Sequence, residues 1–581
     1  MVGPEPHPSV CERALRHPAR AALVCLLLTV LLTWPLAARL GSALPAGAGD
    51  LWQNLWNFWW WDLALREGVT PYWTPYFFHP HGADLSLHTH SPLNMLVFAR
   101  LADPQTAYGL CVLASTWLSA FGAVLLAREV TGSARAGLVA GLVFAFFPNR
   151  LEQTLEHLNL FSTQFLPLML WALLGLVQRG GWRWVIGLAA FTAGNALCDW
   201  QLAMMGTALM AVIVLVAFVR PMRPRLPLVR DLALAGGLAV SLALPAAWPL
   251  LRSMTSGVSY QKPRVERGVD LAFLLRPHFH HPLWGRFTET AYREHRVNPS
   301  AGFTSYLGVA PLLLAGVAVA RRRKGTALWG GIFLGSLLLS LGAHARFEGR
   351  LLEGVTLPFA WLEDLPLLSV LRVANRLLLP AGLALALLAA LGFAGLRRSP
   401  DRKFALVLGA VVLDYLWLPY PMREHTPSPL YAMLRDGGPQ GAVLDIPLTA
   451  SPGAVGSLRA QLVHGRPIAG GYVSVPSRAT LEAIAREPAL LDLYGFAPRL
   501  EHPIDRVRLR ALGFGVVLLH KDRRADWVPP TGEPTPFLGL DRLGEMPAAS
   551  FDLARERLEA ACGAPFYEDE RVAAFRLAPD P

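Results

Sequence analysis

One carboxylate, Asp50, stands directly after the first long apolar segment, at the end of a Gly-, Pro- and Ala-rich turn. A helix-like run rich in tryptophan follows it; the tryptophans are Trp52, Trp56, Trp59, Trp60 and Trp61. Because indole rings prefer the boundary between membrane and water, the pattern predicts an acidic group at the membrane surface, walled by aromatic rings. A catalytic acid acting on a lipid-linked substrate would have to lie there. The alternative is helix capping, since Asp is a favoured N-cap residue.

Two arginines, Arg372 and Arg376, are four positions apart, so on a helix they share a face. The predicted topology puts them on the outer side of the membrane, against the bias that keeps basic residues inside. Guanidinium groups bind phosphate through forked, charge-assisted hydrogen bonds, so such a pair can hold the phosphate of a lipid carrier. The competing interpretation is a salt bridge to Glu363 or Asp364.

A polar turn between two apolar segments holds Arg150, Glu152 and His157. Ionisable residues at a membrane boundary usually face a cavity or one another. The turn therefore either lines a substrate pocket or satisfies its own polar groups. Asp199 and Gln201 occupy the next outer turn and allow the same two interpretations.

Histidines gather in two predicted outer loops. They are His79, His81, His88 and His90 in the first loop, and His278, His280, His281 and His295 in the second. Their spacings match no defined zinc site, and both groups lie among the Pro and aromatic residues typical of surface loops. The sequence also has no Gly-rich phosphate loop, no nucleophile elbow and no basic–aromatic array, and we expect no nucleic-acid partner.

The composition is that of a membrane protein. Of 581 residues, 53% are hydrophobic and only 16% are charged, and apolar runs of about 20 residues, long enough to span a bilayer, recur along the chain. The net charge of +11 comes from short basic clusters between those runs, which is the pattern of cytoplasmic loops. The five cysteines are scattered and indicate neither a disulfide framework nor a metal site.

About eleven membrane spans are predicted over residues 21–420, after a basic cytoplasmic tail, residues 1–20. The first span covers about 21–40 and leads outward. Two outer loops, 41–106 and 252–302, are longer than a connection needs, and loops of that length are usually functional. In this arrangement every strongly basic short loop falls on the cytoplasmic side.

From residue 421 to 581 the sequence changes to the pattern of a small soluble α/β domain on the outer face. AVLDIP (442–447) and GFGVVLLH (513–520) predict short buried strands, and FYEDERVAAFRL (566–577) predicts a hairpin turning at Asp569–Glu570. Helical spacing of apolar residues occurs at 481–495 and 551–563. The predicted fold class is a mainly α polytopic membrane protein with this α/β domain at its C-terminus.

Several short motifs together carry a family resemblance. They are GDLWQNLW with Asp50, FFHPHGADL (77–85), NRLEQTLEHLNL followed by LPL (149–168), FTSYLG (303–308), LSLG (339–342), LPLLSVLRVANR (365–376), VLDIP (443–447), HGRPIAGGY (464–472) and the ending GAPFYEDERVAAFRL. On these the chain resembles the GT-C superfamily of polytopic membrane glycosyltransferases, and more narrowly the YfhO-like membrane proteins of bacteria.

The resemblance implies transfer of a sugar from a polyprenyl-phosphate donor to a glycan, lipid or protein acceptor at the outer face of the bacterial cytoplasmic (inner) membrane. Asp50 would be the general base, and Arg372, Arg376 and Arg150 would stabilise the departing phosphate. The substrate pocket would include Glu152, His157, Trp52 and Trp56.

A divalent metal cofactor is left open by the resemblance. The superfamily's acidic motif often has two carboxylates close together, whereas the next acidic residue after Asp50 is Asp62. The functional alternative is a non-catalytic membrane protein of the same architecture, such as a transporter, a flippase or a scaffold for cell-envelope polysaccharide. A transporter usually carries ionisable groups at the middle of the bilayer, whereas here the polar residues gather at the outer ends of the predicted spans.

Overall fold

Apolar helices make up most of the fold, as the composition predicts. The structure is a computed structural model. It describes residues 10–47, 49–255, 268–294, 304–362, 373–396, 401–446, 448, 455–474, 478–491, 493, 503–521 and 548–577. The helices are α1 (Val10–Arg16), α2 (Pro18–Leu32), α3 (Gly49–Glu67), α4 (Pro92–Phe98), α5 (Pro104–Thr131), α6 (Ala134–Ala145), α7 (Pro148–Gln153), α8 (Leu158–Phe161), α9 (Phe165–Arg179), α10 (Trp182–Cys198), α11 (Trp200–Val219), α12 (Arg225–Thr255), α13 (Gly285–Glu294), α14 (Val309–Ala320), α15 (Thr326–Ser340), α16 (Leu378–Gly395), α17 (Asp401–Asp414), α18 (Pro429–Asp436), α19 (Val455–His464), α20 (Arg478–Ala485), α21 (Pro488–Leu491), α22 (Arg506–Ala511) and α23 (Ala548–Cys562).

Short strands connect the loops and build one larger sheet. The strands are β1 (Leu44–Pro45), β2 (Trp73–Thr74), β3 (Ala83–Asp84), β4 (His344–Phe347), β5 (Arg350–Thr356), β6 (Met422–Arg423), β7 (Ala442–Ile446), β8 (Phe514–His520), β9 (Tyr567–Glu568) and β10 (Val572–Arg576). Three pairs, β1–β6, β2–β3 and β4–β5, stand alone, and the remaining strands form a four-stranded sheet in the order β7-β8-β10-β9.

Within the described residues, 5 helical segments are long and apolar enough to cross a membrane. They are Pro104–Thr131, Leu158–Arg179, Trp200–Val219, Arg225–Ser253 and Ala374–Gly395. Four shorter apolar helices, α2, α6, α14 and α15, coincide with further predicted spans, and α10 and α17 coincide with the remaining two. The multi-pass membrane character is therefore confirmed, while the number of eleven spans stays a prediction.

The first predicted span is shorter than expected. The sequence indicates a span over 21–40, but α2 ends at Leu32 and a 3₁₀ turn follows at Leu36–Ala38. The reason is Pro35, which has no backbone N–H and disfavours helical geometry at the residue before it.

The apolar helices occupy two environments. Every residue of α16 from Leu378 to Phe393 is buried, and this helix packs against α6, α14 and α15. Most of α12 is exposed instead, including the large apolar side chains of Leu226, Val240 and Trp248. An apolar exterior is what a helix presents to lipid, so α16 is the centre of the helical region and α12 lies at its edge.

The strands predicted near the C-terminus are present. β7 pairs in parallel with β8, and β10 pairs antiparallel with both β8 and β9. The turn between β9 and β10 contains Asp569 and Glu570, which confirms the predicted hairpin. The helix predicted over 481–495 is divided into α20 and α21, because Pro488 cannot continue a helical hydrogen-bond ladder.

The tryptophan-rich helix α3 packs against this sheet. Trp56 and Trp60 are fully buried and share one hydrophobic core with β7, β8 and β10. Trp56 and Trp60 therefore belong to a packed core, and the prediction that aromatic rings wall Asp50 at the membrane surface stays a prediction. A packed core removes more of the indole surface from water than a boundary does, and both N–H groups find acceptors there, on Gln461 and on the Pro71 carbonyl.

Candidate active site

Close backbone packing fixes the start of α3. Gly47 lies against the backbone of Leu155, and a Cβ at this position would overlap the Leu155 carbonyl oxygen. The side-chain amide of Asn54 donates hydrogen bonds to the carbonyls of Asp50, at 2.8 Å, and Glu156, at 2.9 Å. The first turn of α3 is therefore tied to the polar turn that the sequence singled out.

The carboxylate of Asp50 receives two side chains from remote parts of the chain. Its Oδ2 lies 3.4 Å from Nε2 of His157, and its Oδ1 accepts a hydrogen bond from the Tyr472 hydroxyl. Asp50 is the second residue of α3, so it lies within the first turn, where the helix dipole favours a negative charge. Its side chain is 36% exposed. The carboxylate is thus held by side chains and still reachable from outside.

The surroundings of Asp50 keep it ionised. Burial alone would raise the pKa of Asp50, but the hydrogen bond and charge of His157, the Tyr472 hydroxyl and the charge of Arg376 outweigh burial and hold this pKa well below its ordinary value. The opposite applies to its partner. Burial alone would lower the pKa of His157, but the Asp50 carboxylate and the charge of Glu156 raise it. Both shifts favour the charged forms, so the two side chains stabilise each other as an ion pair.

The pair makes the stability contribution of His157 depend on pH. A raised folded-state pKa stabilises the protein fully below the unfolded value, about 6.5, and this stabilisation is lost as the pH rises through the folded pKa. We expect His157→Gln to lower the unfolding temperature more at pH 6 than at pH 9, measured on the solubilised protein. The exposed His81, as His81→Gln, is the matched control. An equal effect of His157→Gln at both pH values would contradict the charged pair.

Arg376 lies in the 3₁₀ turn Ala374–Leu377, directly before α16. Its Nη1 donates to Oε1 of Gln201 at 2.7 Å, and its charge acts on both Asp50 and His157. The structure thus brings one predicted phosphate ligand towards the predicted base. Arg372 and its alternative partners Glu363 and Asp364 lie outside the described residues.

The turn at Asp199 satisfies its own polar groups. Oδ1 of Asp199 caps α11 by accepting from the amides of Gln201 and Leu202, and Oδ2 accepts from the Asn159 side chain at 2.8 Å. Asp199 therefore serves the start of α11, and this start places Gln201 beside Arg376.

Arg150 does not join the Asp50 site. It is completely buried, and its guanidinium donates to neutral acceptors only among its described partners. These acceptors are the hydroxyls of Thr163, Thr116 and Ser115 and the carbonyls of Ala145 and Phe161. The expectation that Arg150 holds the donor phosphate is therefore replaced by a structural assignment: its donors hold α5, α6 and α8 together.

Replacing Arg150 should lower the free energy of unfolding, because this residue has a structural role and no direct role in catalysis. Arg150→Met leaves two buried carbonyls and three hydroxyls without their donor, and we expect a loss of about 3 kcal/mol in the free energy of unfolding. Arg150→Lys, which keeps the charge and some of the hydrogen bonds, should fall between this variant and the wild type. Thermal unfolding of the three proteins checks this. Wild-type stability in Arg150→Met would contradict the structural assignment.

Glu152 points to a different partner. Its Oε1 lies 3.4 Å from Nε2 of His278, and its Oε2 accepts from the amide of Thr304. Burial raises the pKa of Glu152 well above its ordinary value and lowers the pKa of His278 to about 3, so it favours the neutral form of both groups. Of the predicted polar turn, only His157 reaches the Asp50 carboxylate, and Glu152 holds the second outer loop.

The two tryptophans predicted for the pocket, Trp52 and Trp56, have different surroundings. Trp56 stacks on Phe77, with ring centroids 3.9 Å apart, and belongs to the core. Trp52 lines an open cavity of about 340 Å³. The guanidinium of Arg459 lies 4.5 Å from the centroid of the Trp52 ring, and the His425 ring packs on Trp52 in a T-shaped arrangement with ring centroids 4.9 Å apart. Of these two tryptophans, Trp52 is the one that lines the cavity, although only 7% of it is exposed.

Tyr472 is the functional candidate that the sequence did not single out. Two of the resemblance motifs hydrogen-bond to each other: the amide of His79 donates to the Ile468 carbonyl, and the amide of Phe78 donates to the Gly470 carbonyl. Gly471 packs on the Phe77 ring, where a Cβ would lie 2.8 Å from the nearest ring atom. This contact delivers Tyr472 to Asp50. The double glycine of HGRPIAGGY is the signal that a close approach occurs there.

No group of three His, Cys, Asp or Glu side chains arranged for a metal ion occurs among the described residues. Asp62 pairs with Arg66, at 2.8 Å, at the opposite end of α3 from Asp50. The loop histidines bond separately: His79 to the Leu512 carbonyl, His88 to Asn57 and His90 to Trp61. His295 lies outside the described residues.

Comparison with known proteins identifies a family and a fold. The model of a protein family described as a domain of unknown function, DUF6311, matches residues 21–415. The structure is similar to arabinofuranosyltransferase AftD from Mycobacteria, with a TM-score of 0.60, 17% identity, and coverage of 97% of this chain and 40% of that chain. It is also similar to the apo oligosaccharyltransferase of Archaeoglobus fulgidus, with a TM-score of 0.52, 10% identity, and coverage of 87% of this chain and 69% of that chain.

These similarities show a GT-C-like fold, and membership of the superfamily itself stays a prediction. The narrower YfhO-like assignment stays a prediction. The chain spans less than half the length of the mycobacterial protein. No curated protein matches the chain. At these identities the similarity shows the fold alone.

Proposed function

The chain belongs to the DUF6311 family, whose description states no activity, and we propose that it is a membrane glycosyltransferase. In this proposal it moves a sugar from a polyprenyl-phosphate donor to an acceptor at the outer face of the bacterial cytoplasmic membrane. Both structural neighbours are, by name, sugar-transferring enzymes, an arabinofuranosyltransferase and an oligosaccharyltransferase.

One observation carries the proposal: the ionised Asp50 carboxylate and the Arg376 guanidinium come from remote segments, and the charge of Arg376 acts on Asp50. Asp50 opens α3, His157 precedes α8, and Arg376 precedes α16. The charge of Arg376 acts on both other residues. Glycosyl transfer from a lipid phosphate needs these two functions, a base for the acceptor hydroxyl and a cation for the leaving phosphate.

The proposed mechanism starts with exchange of a hydrogen bond. The acceptor hydroxyl replaces the Tyr472 hydroxyl as the hydrogen-bond donor to Oδ1 of Asp50. This oxygen therefore accepts a hydrogen bond before and after the exchange. The bond from the anomeric carbon to the phosphate oxygen breaks, its electron pair goes to the phosphate, and the carbon passes through an oxocarbenium-like state. The acceptor oxygen becomes acidic as it bonds to that carbon, so even a weakly basic Asp50 can take its proton.

The polar residues around this centre have separate tasks. Arg376, positioned by Gln201 at 2.7 Å, stabilises the charge that develops on the departing phosphate. A phosphate leaves as a stable anion and needs little help from a general acid, so one carboxylate is sufficient. His157 keeps Asp50 ionised and oriented. We retain Arg372 as a second phosphate ligand in the proposal, and we do not retain Arg150.

We further propose a cytoplasmic tail over residues 1–20, about eleven spans over 21–420, and an extracytoplasmic α/β domain over 421–581. The pairing of β1 with β6 supports this topology. Leu44 faces Arg423 in that ladder, so the segments after the first and the last predicted span lie on the same side of the membrane. An even number of crossings must separate them, and ten spans are predicted between them.

Purified protein in lipid vesicles tests the function. We would supply labelled polyprenyl-phosphate hexoses and pentoses together with cell-envelope extract. The proposal predicts that label from at least one donor appears on an extract component or, without extract, as free sugar released by water. Donor binding without release or transfer from any donor would favour the non-catalytic alternative, a transporter, flippase or scaffold.

A further inference from the structure

A cavity of about 340 Å³ is lined in part by residues that precede and follow Asp50 in the chain, and the mechanism above leaves it without a role. Gly47, Leu51 and Trp52 are among its lining residues, and they flank Asp50 along the chain. Arg423, Arg459 and Arg571 also line it, from the region that follows the last predicted span. The cavity therefore lies between the first outer loop and the C-terminal region.

The charge of this cavity is positive. Three arginines and His425 line it, against the single carboxylate of Glu424. Glu424 is itself paired with Arg39. Guanidinium groups crowded around a concave surface attract anions, and their forked donors match carboxylate and phosphate oxygens.

The Trp52 ring adds a small aromatic surface to the cavity lining, since 7% of this residue is exposed. The Arg459 guanidinium lies 4.5 Å from the centroid of the Trp52 ring, which fixes both groups. Arg571 donates to the Thr426 carbonyl, which holds it at the rim. A ring surface beside fixed guanidinium groups suits a ligand with a flat apolar face and an anionic substituent, such as an acidic saccharide.

We propose that this cavity is the acceptor site and that the acceptor is a saccharide carrying a carboxylate or phosphate group. The inference rests on the proposed function, because it assigns the acceptor side of the same centre. The donor phosphate belongs with Arg376, which does not line the cavity. The isoprenoid chain of the donor is excluded from it because a basic, solvent-open wall offers a hydrocarbon no favourable contact.

Direct binding tests the site without requiring turnover. We would titrate the full-length protein in detergent with an oligogalacturonate, glucose 6-phosphate, methyl glucoside and inorganic phosphate, using calorimetry at low and moderate salt. We expect the two anionic saccharides to bind, the neutral glucoside and inorganic phosphate to bind at least about tenfold more weakly, and salt to weaken the anionic ligands.

Matched arginine variants locate the binding. Arg459→Gln and Arg571→Gln should each weaken binding of the anionic saccharides, Arg459→Gln by about tenfold because it removes a charge-assisted contact and the cation packed on the Trp52 ring. Arg486→Gln, at an exposed arginine paired with Glu482, is the control and should change little. Equal binding of neutral and anionic saccharides, or equal effects of Arg459→Gln, Arg571→Gln and Arg486→Gln, would overturn the inference.

The donor assay separates the two failures. Release of sugar from a polyprenyl-phosphate donor in the absence of acceptor tests the proposed function and does not require the cavity to be filled. If release occurs but anionic saccharides do not bind, the inference fails and the function stands. If anionic saccharides bind as described and no donor is turned over, the function fails and the cavity remains an anionic-saccharide site.

Discussion

Asp50→Asn should abolish sugar transfer while leaving the protein folded. We expect kcat to fall by about a thousandfold, within the range that a positioned general base supplies. Asn keeps the shape of Asp and still accepts the Tyr472 hydroxyl, but it cannot take a proton and carries no charge for His157. The measurement is the rate of label transfer from the donor that the wild type uses, alongside thermal unfolding.

Asp62→Asn is the matched control for this variant. Asp62 lies on the same helix, and its carboxylate pairs with Arg66 at 2.8 Å, in the last turn of α3. An exposed pair of this kind contributes about 0.5 kcal/mol or less, so transfer should stay within about twofold of the wild type. Wild-type transfer by Asp50→Asn would contradict the role of Asp50 as base, and loss of folding would show a structural role instead.

Arg376→Ala should give the second large effect. Removing a group that stabilises charge in the transition state costs about a hundredfold to a thousandfold in rate. Arg376→Lys keeps the charge without the forked geometry and should recover part of the rate. Gln201→Ala should cost less than Arg376→Ala, because Gln201 only positions the guanidinium through the 2.7 Å bond.

The readout for Arg376 is kcat together with binding of the labelled donor. Loss of the positive charge also removes one of the influences that lower the pKa of Asp50, so the acidic limb of the pH–rate profile should move to higher pH. Arg179→Ala, at an arginine paired with Glu129, is the control. Unchanged kcat and donor binding in Arg376→Ala would exclude a contact between this residue and the phosphate.

Local patterns predicted the elements well. Apolar runs gave the membrane helices, and the buried strands and hairpin near the C-terminus lie where their patterns placed them. These signals are local, since each depends on residues within one turn or a few strand positions. The break at Pro488 and the early end of α2 before Pro35 follow from proline chemistry that the hydrophobic pattern alone does not contain.

The site could be predicted only in part, because its partners are distant along the chain. Asp50 is a carboxylate directly after an apolar segment, and Arg376 is an arginine on the predicted outer side, so sequence position alone indicates both as candidates. Tyr472 reaches Asp50 only because two loop segments hydrogen-bond. Arg150 has the same residue type as Arg376, and only burial distinguishes a satisfied interior arginine from a ligand. The sequence around Trp56 predicts a pocket residue, because the C-terminal sheet with which Trp56 shares a core lies far away along the chain.

A cryo-electron microscopy structure with a bound polyprenyl-phosphate sugar tests the central claim most directly. We expect the phosphate within hydrogen-bond distance of the Arg376 guanidinium, with the anomeric carbon facing the Asp50 carboxylate. A phosphate bound elsewhere, with Arg376 and Asp50 both remote from the sugar, would contradict the account.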